Sequence, residues 1–235
     1  LRKPQAGRPQ VYPCLTVGGG GVHEVAVGRV RAGTIETGHF RFSVVGERIL
    51  RLEAHLGYKH KGVEKLFETM DLNEGARLAG RISGDSTVAY AWAYAMATES
   101  AAGIAPPDRA LWLRALLLER ERMANHLGDL GALGNDAGLA FGLAQFMRLK
   151  EDLLRCNAHV FGPRCSLDRV ASAGAFDVAA ESAAAKLLAE LDVLDAAVTD
   201  LRSIYDDHAG LQDRFIGAGR VAPELAVHMG LCGLV

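Results

Sequence analysis

The chain is short of the features that announce a specialised class. Its 235 residues hold four cysteines (Cys14, Cys156, Cys165 and Cys232), scattered and without a Cys-x-x-Cys pair. That spacing argues against a disulfide framework and for a reducing compartment. Lys and Arg number 26 against 28 Asp and Glu, a formal net charge of −2, so no basic excess awaits a nucleic acid. No apolar run approaches the roughly 18–20 residues that span a bilayer. The opening segment, LRKPQAGRPQVYPC, is basic but lacks the apolar stretch of a signal peptide. Repeats and low-complexity linkers are missing as well. What remains, 49% hydrophobic and 23% charged, reads as an intracellular globular protein with a sizeable core.

Two kinds of pattern divide the chain. Residues 22 to 54 alternate as strands do, with Phe40, Phe42 and Val44 on one face and His39, Arg41 and Ser43 on the other. Gly46-Glu47 suits a hairpin turn before Ile49–Glu53, because glycine accepts positive φ. From Val63 the period becomes helical. Pro106-Pro107 interrupts it, and Asp108 is placed to cap the next helix. In that helix Trp112, Leu116, Met123, Leu127 and Leu130 form an apolar stripe. Leu143–Phe161 reads as another helix, ended by Gly162-Pro163. Leu187, Leu191, Leu194, Val198, Leu201 and Tyr205 form a seam for packing on other helices, and alanines such as Ala179–Ala180 and Ala183–Ala185 permit close contact. The predicted fold is mainly α with a small N-terminal antiparallel β-sheet (α+β). Residues 1–60 are the β region and 61–235 a helical bundle region.

Three groups of residues could carry chemistry. Between strand and helix, His55 and His60 stand with Gly57, Tyr58 and Gly62, either as a proton-transfer loop or as a plain connection. Glu119, Arg122, Asn125 and His126 follow the apolar stripe. A buried carboxylate needs a partner, so the expectation is a buried polar network with Arg122 paired to Glu119. The third group is Arg81-Ile82-Ser83-Gly84-Asp85-Ser86-Thr87 with Tyr90 and Tyr94, which by itself reads as a helix start capped by Ser86 or Thr87. Gly18–Gly21 precedes a strand rather than a helix, so no nucleotide fingerprint is present.

Taken in order, these stretches resemble one family. ETGHFRF (Glu36–Phe42) and HLGYKHKGVEKL (His55–Leu66) come first, then ERMANHL (Glu121–Leu127), Gly162-Pro163-Arg164 and LQDRFIGAGRVAPELA (Leu211–Ala226). Together they look like the large-subunit family shared by membrane-bound NiFe hydrogenases of the formate hydrogenlyase type and the quinone-site subunit of respiratory complex I (NADH:quinone oxidoreductase). The resemblance runs from residue 25 to 235 and implies the helical bundle of that family. In its hydrogenases the stretch matching Arg81–Ser86 reads Arg-x-Cys-Gly-x-Cys, and the two cysteines help to hold nickel and iron. Here they are Ser83 and Ser86, hard hydroxyls in place of soft thiolates. The second cysteine pair of those hydrogenases has no counterpart before Val235.

The resemblance therefore implies the quinone chemistry of the complex I side. On that pattern His39 and Tyr94 hold the headgroup and Asp136 partners the histidine, with Tyr90 as rival to Tyr94 and Ser83 and Ser86 as cavity neighbours. Glu119, Arg122 and His126 would support the cavity, and His55 and His60 would serve structure and partner contact. No metal or cofactor is expected on this chain, and quinone is the expected substrate. Electrons would come from an iron–sulfur cluster in a small partner subunit, because the chain has no cluster motif. Membrane subunits would hold it peripherally on the cytoplasmic face. A non-catalytic scaffold descended from a hydrogenase large subunit is the alternative, and a NiFe hydrogenase completed beyond Val235 a third reading. Family members continue further, so the chain is expected to be incomplete at its C-terminus, with an exposed apolar patch and a homo-oligomer in isolation.

Overall fold

A computed structural model describes residues 15–28, 38–175 and 180–231, the side chains of 175 and 180–182 excepted. The readings on the N-terminal segment, on residues 29–37, on Ala179 and on Cys232 lie outside these residues. The chain divides into two units, Leu1–Glu64 and Lys65–Val235.

The first unit is a three-stranded antiparallel sheet of β1 (His23–Val27), β2 (His39–Val45) and β3 (Arg48–His55), in that order. Gly46, at φ 56°, makes the tight turn between β2 and β3 that its lack of a Cβ allows. The register sets His39 opposite His55 and Arg41 opposite Glu53, with a bulge between Ser43 and Val44. Arg41 also reaches Glu24 on β1 at 3.3 Å, an exposed pair of small energetic weight.

The second unit is helical. After α1 (Val63–Phe67), α2 (Leu72–Ala79) opens on a capping box, in which Asp71 accepts from the Asn73 and Glu74 amides and Glu74 accepts from the Asp71 amide. A 3-10 turn, Gly84–Ser86, leads into α3 (Thr87–Ala102), which ends on Gly103 in the left-handed conformation. Two long helices follow, α4 (Asp108–Asp136) and α5 (Ala140–Phe161). A short hairpin of β4 (Val170–Ala171) and β5 (Gly174–Ala175) precedes α6 (Ala180–Asp207), α7 (Ala209–Phe215) and α8 (Pro223–His228). One core lies between α4, α5, α6 and α7, around Leu127, Phe146, Leu149, Leu153, Leu194, Leu201 and Leu211. Another joins α3 and the hairpin to them through Val88, Ala95, Leu117, Phe161, Val170 and Leu187. Each fully buried Leu or Phe contributes about 1.5–3 kcal/mol. The mainly helical architecture with a small N-terminal sheet is the one expected, and Leu187, Leu194, Leu201 and Tyr205 of the predicted seam are buried.

The phase of α4 differs from the prediction. Its buried residues are Ala110, Arg114, Leu117, Arg120, Ala124, Leu127, Gly128, Gly131 and Gly134. Of the predicted stripe only Leu127 is among them, while Trp112 is 77% exposed and Leu116 and Leu130 are exposed as well. The physical reason is close packing. α5 crosses so near α4 that a Cβ at Gly131 would come within 3.2 Å of Phe146 Cβ. Small residues face the neighbouring helix, and Trp112, Leu116 and Leu130 are turned outward. Pro107 rather than Asp108 holds the N-cap position of α4, without a side-chain cap bond, and Asp108 is already helical.

Candidate functional site

The turn Ser83–Ser86 at the head of α3 is held from the side by α4. Ser86 occupies the N-cap position, yet neither it nor Ser83 makes a side-chain cap bond. Glu121 does that work instead, its carboxylate accepting from the Val88 amide at 2.6 Å and the Ala89 amide at 3.1 Å. Burial pushes the Glu121 carboxyl above the ordinary range, against the lowering effect of those amides. Asn125, one turn on, donates to the Asp85 carbonyl at 2.7 Å. Thr87 Oγ1 closes the turn on the Gly84 carbonyl at 3.3 Å.

Beside this turn runs a strained segment. Ser166, Asp168 and Ala173 all have φ between 53° and 61°, a conformation that costs side-chain-bearing residues energy. Ion pairs hold it in place. Arg81 grips Asp168 through two bonds of 2.7 and 2.8 Å, which hold that carboxyl below its usual range. Arg114, fully buried, binds Glu99 at 3.1 and 2.6 Å and donates to the Ala171 and Gly174 carbonyls of the hairpin. Glu99 also accepts from the Ala173 amide at 2.7 Å, and Arg114 beside it keeps its carboxyl low. Arg164 pairs with Glu151, held with Arg155 to a pKa of about 2. Deeper in the bundle Arg120 bonds Asn157 and reaches Glu190 at 2.7 Å. A cavity of about 50 Å³ opens between the turn and the segment, lined among others by Asp85, Glu121, Asn125, Lys150, Asn157 and Ser166.

The predicted site residues do not gather at one point. Tyr94 lies in α3, stacked on Phe67 at 5.6 Å between ring centres. Its hydroxyl sits against Gly75, where a Cβ would stand 2.3 Å away, and makes no hydrogen bond among the described residues. Tyr90 is exposed. Asp136, exposed, ends α4. The Val88–Glu121 and Glu99–Arg114 ties make α3 and α4 antiparallel and set Tyr94 abreast of about Leu117. Nineteen residues separate Leu117 from Asp136, about 28 Å along the helix. Tyr94 and Asp136 therefore do not line one headgroup pocket. In the sheet unit His39 and His55 face each other with ring centres 6.0 Å apart, and His39 Nδ1 is buried without a hydrogen-bond partner among the described residues. His60 is exposed in the following loop.

The expected network of Glu119, Arg122 and His126 is corrected. Glu119 and Arg122 pair with each other on the exposed surface of α4, and His126 is exposed. The burial of α4 runs through Arg114, Arg120 and the half-buried Glu121 instead. The sequence reading places the buried charge at Glu119 and Arg122 because the apolar stripe points the wrong face of α4 inward. The available signal was Ala124, Gly128, Gly131 and Gly134 at helical spacing, since glycine inside a helix costs about 1 kcal/mol unless a close neighbour requires it.

No family model matches the chain. Formate hydrogenlyase subunit 5 of Escherichia coli (strain K12) is 33% identical to it over 205 residues, 86% of this chain and 36% of that protein. NADH-quinone oxidoreductase subunit 4 of Thermus thermophilus is 29% identical over 188 residues, 80% of this chain and 46% of that one. The chain belongs to the large-subunit family shared by hydrogenases of this type and NADH-quinone oxidoreductase. It spans between a third and a half of the length of these two relatives. A chain from the structure of the membrane-bound sulfane sulfur reductase, an archaeal respiratory membrane complex, has the same fold. Its TM-score is 0.81 at 21% identity, over 90% of this chain and 57% of that chain. On the resemblance described above, the metal-binding stretch of the hydrogenases is expected at Arg81–Ser86. Ser83 and Ser86, both half-buried, supply hydroxyls there, and this donor set does not suit a soft metal.

Proposed function

We propose that this chain is the electron-transfer subunit of a complex I-like or hydrogenase-like oxidoreductase at a membrane, acting on a quinone without a nickel–iron centre. The observation that carries the reading is the turn Ser83–Ser86. From α4, Asn125 holds its Asp85 carbonyl and Glu121 the Val88 and Ala89 amides just beyond it, yet the turn offers hydroxyls rather than thiolates. Reduction of a quinone to a quinol takes up two electrons and two protons, so each quinone oxygen needs a donor. In the helical unit the candidate donors are the serine hydroxyls of the turn and the unengaged Tyr94 hydroxyl; in the sheet unit, taken by itself, the candidate is the His39 imidazole. Asp136 has no part at the Tyr94 end of the bundle. Electrons would reach the quinone from an iron–sulfur cluster of a small partner subunit, with NADH oxidation, where it occurs, elsewhere in the complex. No helix among the described residues is long and apolar enough to cross a membrane, which favours attachment through membrane subunits.

The test is quinone reduction by the assembled complex with its electron donor. Ser83→Ala, His39→Gln and Tyr94→Phe are each measured for rate and for retention in the complex. At least one of them should lose about 10²-fold in rate while remaining assembled. Unchanged rates in all three, or about one nickel per chain in protein from nickel-fed cells, overturn the reading.

A further inference from the structure

Among the described residues Arg81, Arg114, Arg120 and Arg164 of the helical unit are paired with carboxylates, and Lys150 is not. Lys150 of α5, half-buried, makes no hydrogen bond or ion pair among the described residues. Its ammonium lies against Gly128 of α4, where a Cβ would stand only 2.8 Å from Nζ. The bare glycine leaves room for the ammonium, and any side chain at 128 would displace it. A half-buried ammonium held in this way retains the solvation cost of its position without a protein acceptor to offset it.

That ammonium borders the cavity of about 50 Å³ beside the strained segment. At roughly 10–15 Å³ for each water, the space holds about three to five water-sized atoms. Around it the Glu121 and Asn157 side-chain oxygens already accept hydrogen bonds, and donors are left over. Both Glu121 oxygens are taken by the Val88 and Ala89 amides, and Asn157 Oδ1 by Arg120. Asp85, the other carboxylate of the lining, is exposed to solvent. Donors are three N–H bonds on Lys150, the hydroxyl of Ser166 and the second amide hydrogen of Asn125. Ser166 is buried at 4% exposure and held at φ 53°, and backbone strain of this kind concentrates at ligand clamps.

We propose that this cavity binds a small oxyanion, a phosphate or a carboxylate, on the Lys150 ammonium, oriented by Ser166 and Asn125. Such an ion supplies the acceptor that Lys150 lacks, and its size matches the space. The site lies wholly within the helical unit and does not depend on the quinone reading.

The test uses the full chain, titrated calorimetrically at constant ionic strength with inorganic phosphate, with acetate, and with chloride as control. Saturable binding of phosphate or acetate, absent for chloride, is expected, and the arm that binds identifies the anion class. Lys150→Met should weaken it about tenfold or more, the scale of a charge-assisted hydrogen bond, and Lys150→Arg should lose less. Acylation of the unaltered protein by an amine-reactive reagent, read by mass spectrometry, keeps the test independent of the variants' folding. The bound anion should slow modification of Lys150 and leave the exposed Lys65 unchanged. No saturable binding, equal affinity in Lys150→Met, or unprotected Lys150 at saturating anion overturns the proposal.

Discussion

Along α4 the face turned into the bundle carries Arg114, Arg120 and the half-buried Glu121, while the outer face carries Trp112, Leu116 and Leu130. The contrast shows what each face is asked to do. The inner charges are not spread through the core. Each one ties a specific backbone feature: Arg114 the carbonyls of the β4–β5 hairpin, Glu121 the first amides of α3, Arg120 the Leu153 carbonyl of α5. Alanine and glycine fill the positions between, which lets α5 approach closely enough for those ties to form. The outer face makes no such ties, so its large apolar side chains contribute little to holding the unit together. Hydrophobicity alone therefore assigns the two faces wrongly, and four substitutions can break or sharpen the distinction.

Arg114→Met carries the largest expected effect. It leaves the Glu99 carboxylate buried without its guanidinium and strips a donor from the Ala171 and Gly174 carbonyls. Breaking one side of a buried pair costs about 3–5 kcal/mol, readable as a shift of the urea unfolding midpoint. Glu99 adds a pH signature. Its carboxyl is lowered in the folded state, chiefly by the Arg114 bonds. That contribution is present above the unfolded value and is lost as pH falls through the folded one. The variant should lose this acid-side dependence. A cost below about 1 kcal/mol would show that the inner charges are dispensable.

Gly142→Ala tests close approach rather than charge. A Cβ at 142 would meet the Tyr205 hydroxyl at 2.1 Å, and that hydroxyl is already fixed by donating to the Leu130 carbonyl at 3.0 Å. Overpacking of this kind costs about 1–3 kcal/mol, and thermal unfolding should register it. Tyr205→Phe in the same chain should recover part of the loss. If Gly142→Ala is neutral, α5 and α6 have slack at Tyr205, and close approach does not constrain their packing there.

Glu121→Gln comes next, at about 1 kcal/mol near neutral pH, because one of the two α3 amides loses its acceptor. The pH dependence has a definite sign. The folded carboxyl is raised above the ordinary 4.5, first by burial. Stability from the protonated form is therefore complete below the unfolded value and is lost as pH rises through the folded value. The glutamine cannot ionise, so the difference between wild type and variant should move in favour of wild type as pH falls across that window. A pH-independent difference would mean that Glu121 caps α3 without being desolvated.

Much of this architecture was legible in the residues, and the parts that were not have a common cause. The alternation around Phe40–Val44 gave β2, Gly46 gave its turn, and the Leu187–Tyr205 seam gave the buried side of α6. These signals are local and depend on one element at a time. The side-chain cap of α3 expected from Ser86 or Thr87 comes instead from Glu121, more than thirty residues away in the chain. Tyr94 and Asp136 were grouped by motif order, which says nothing of how far α4 carries one from the other. The strained segment around Ser166, Asp168 and Ala173 has no glycine at its positive-φ positions to mark it. Its conformation is imposed by arginines from other elements, and such constraint is visible only once the elements are packed.

Trp112→Ser is the smallest expected effect and the cleanest discriminator between the two assignments of α4. If the stripe of Trp112, Leu116, Met123, Leu127 and Leu130 were the packing face, loss of the indole would cost about 3–5 kcal/mol, as for a core aromatic. In the structure Trp112 is 77% exposed and lies on the face opposite the buried Arg114 and Leu117. Surface substitutions away from caps, pairs and cavities usually stay within about 0.5 kcal/mol. Serine also lowers helix propensity only slightly relative to tryptophan. Urea unfolding of the isolated chain should therefore place Trp112→Ser within that margin of wild type, with an unchanged dependence on denaturant. A loss of several kcal/mol would return Trp112 to the core and reverse the phase of the helix, and with it the positions from which Arg114 and Glu121 hold the hairpin and α3.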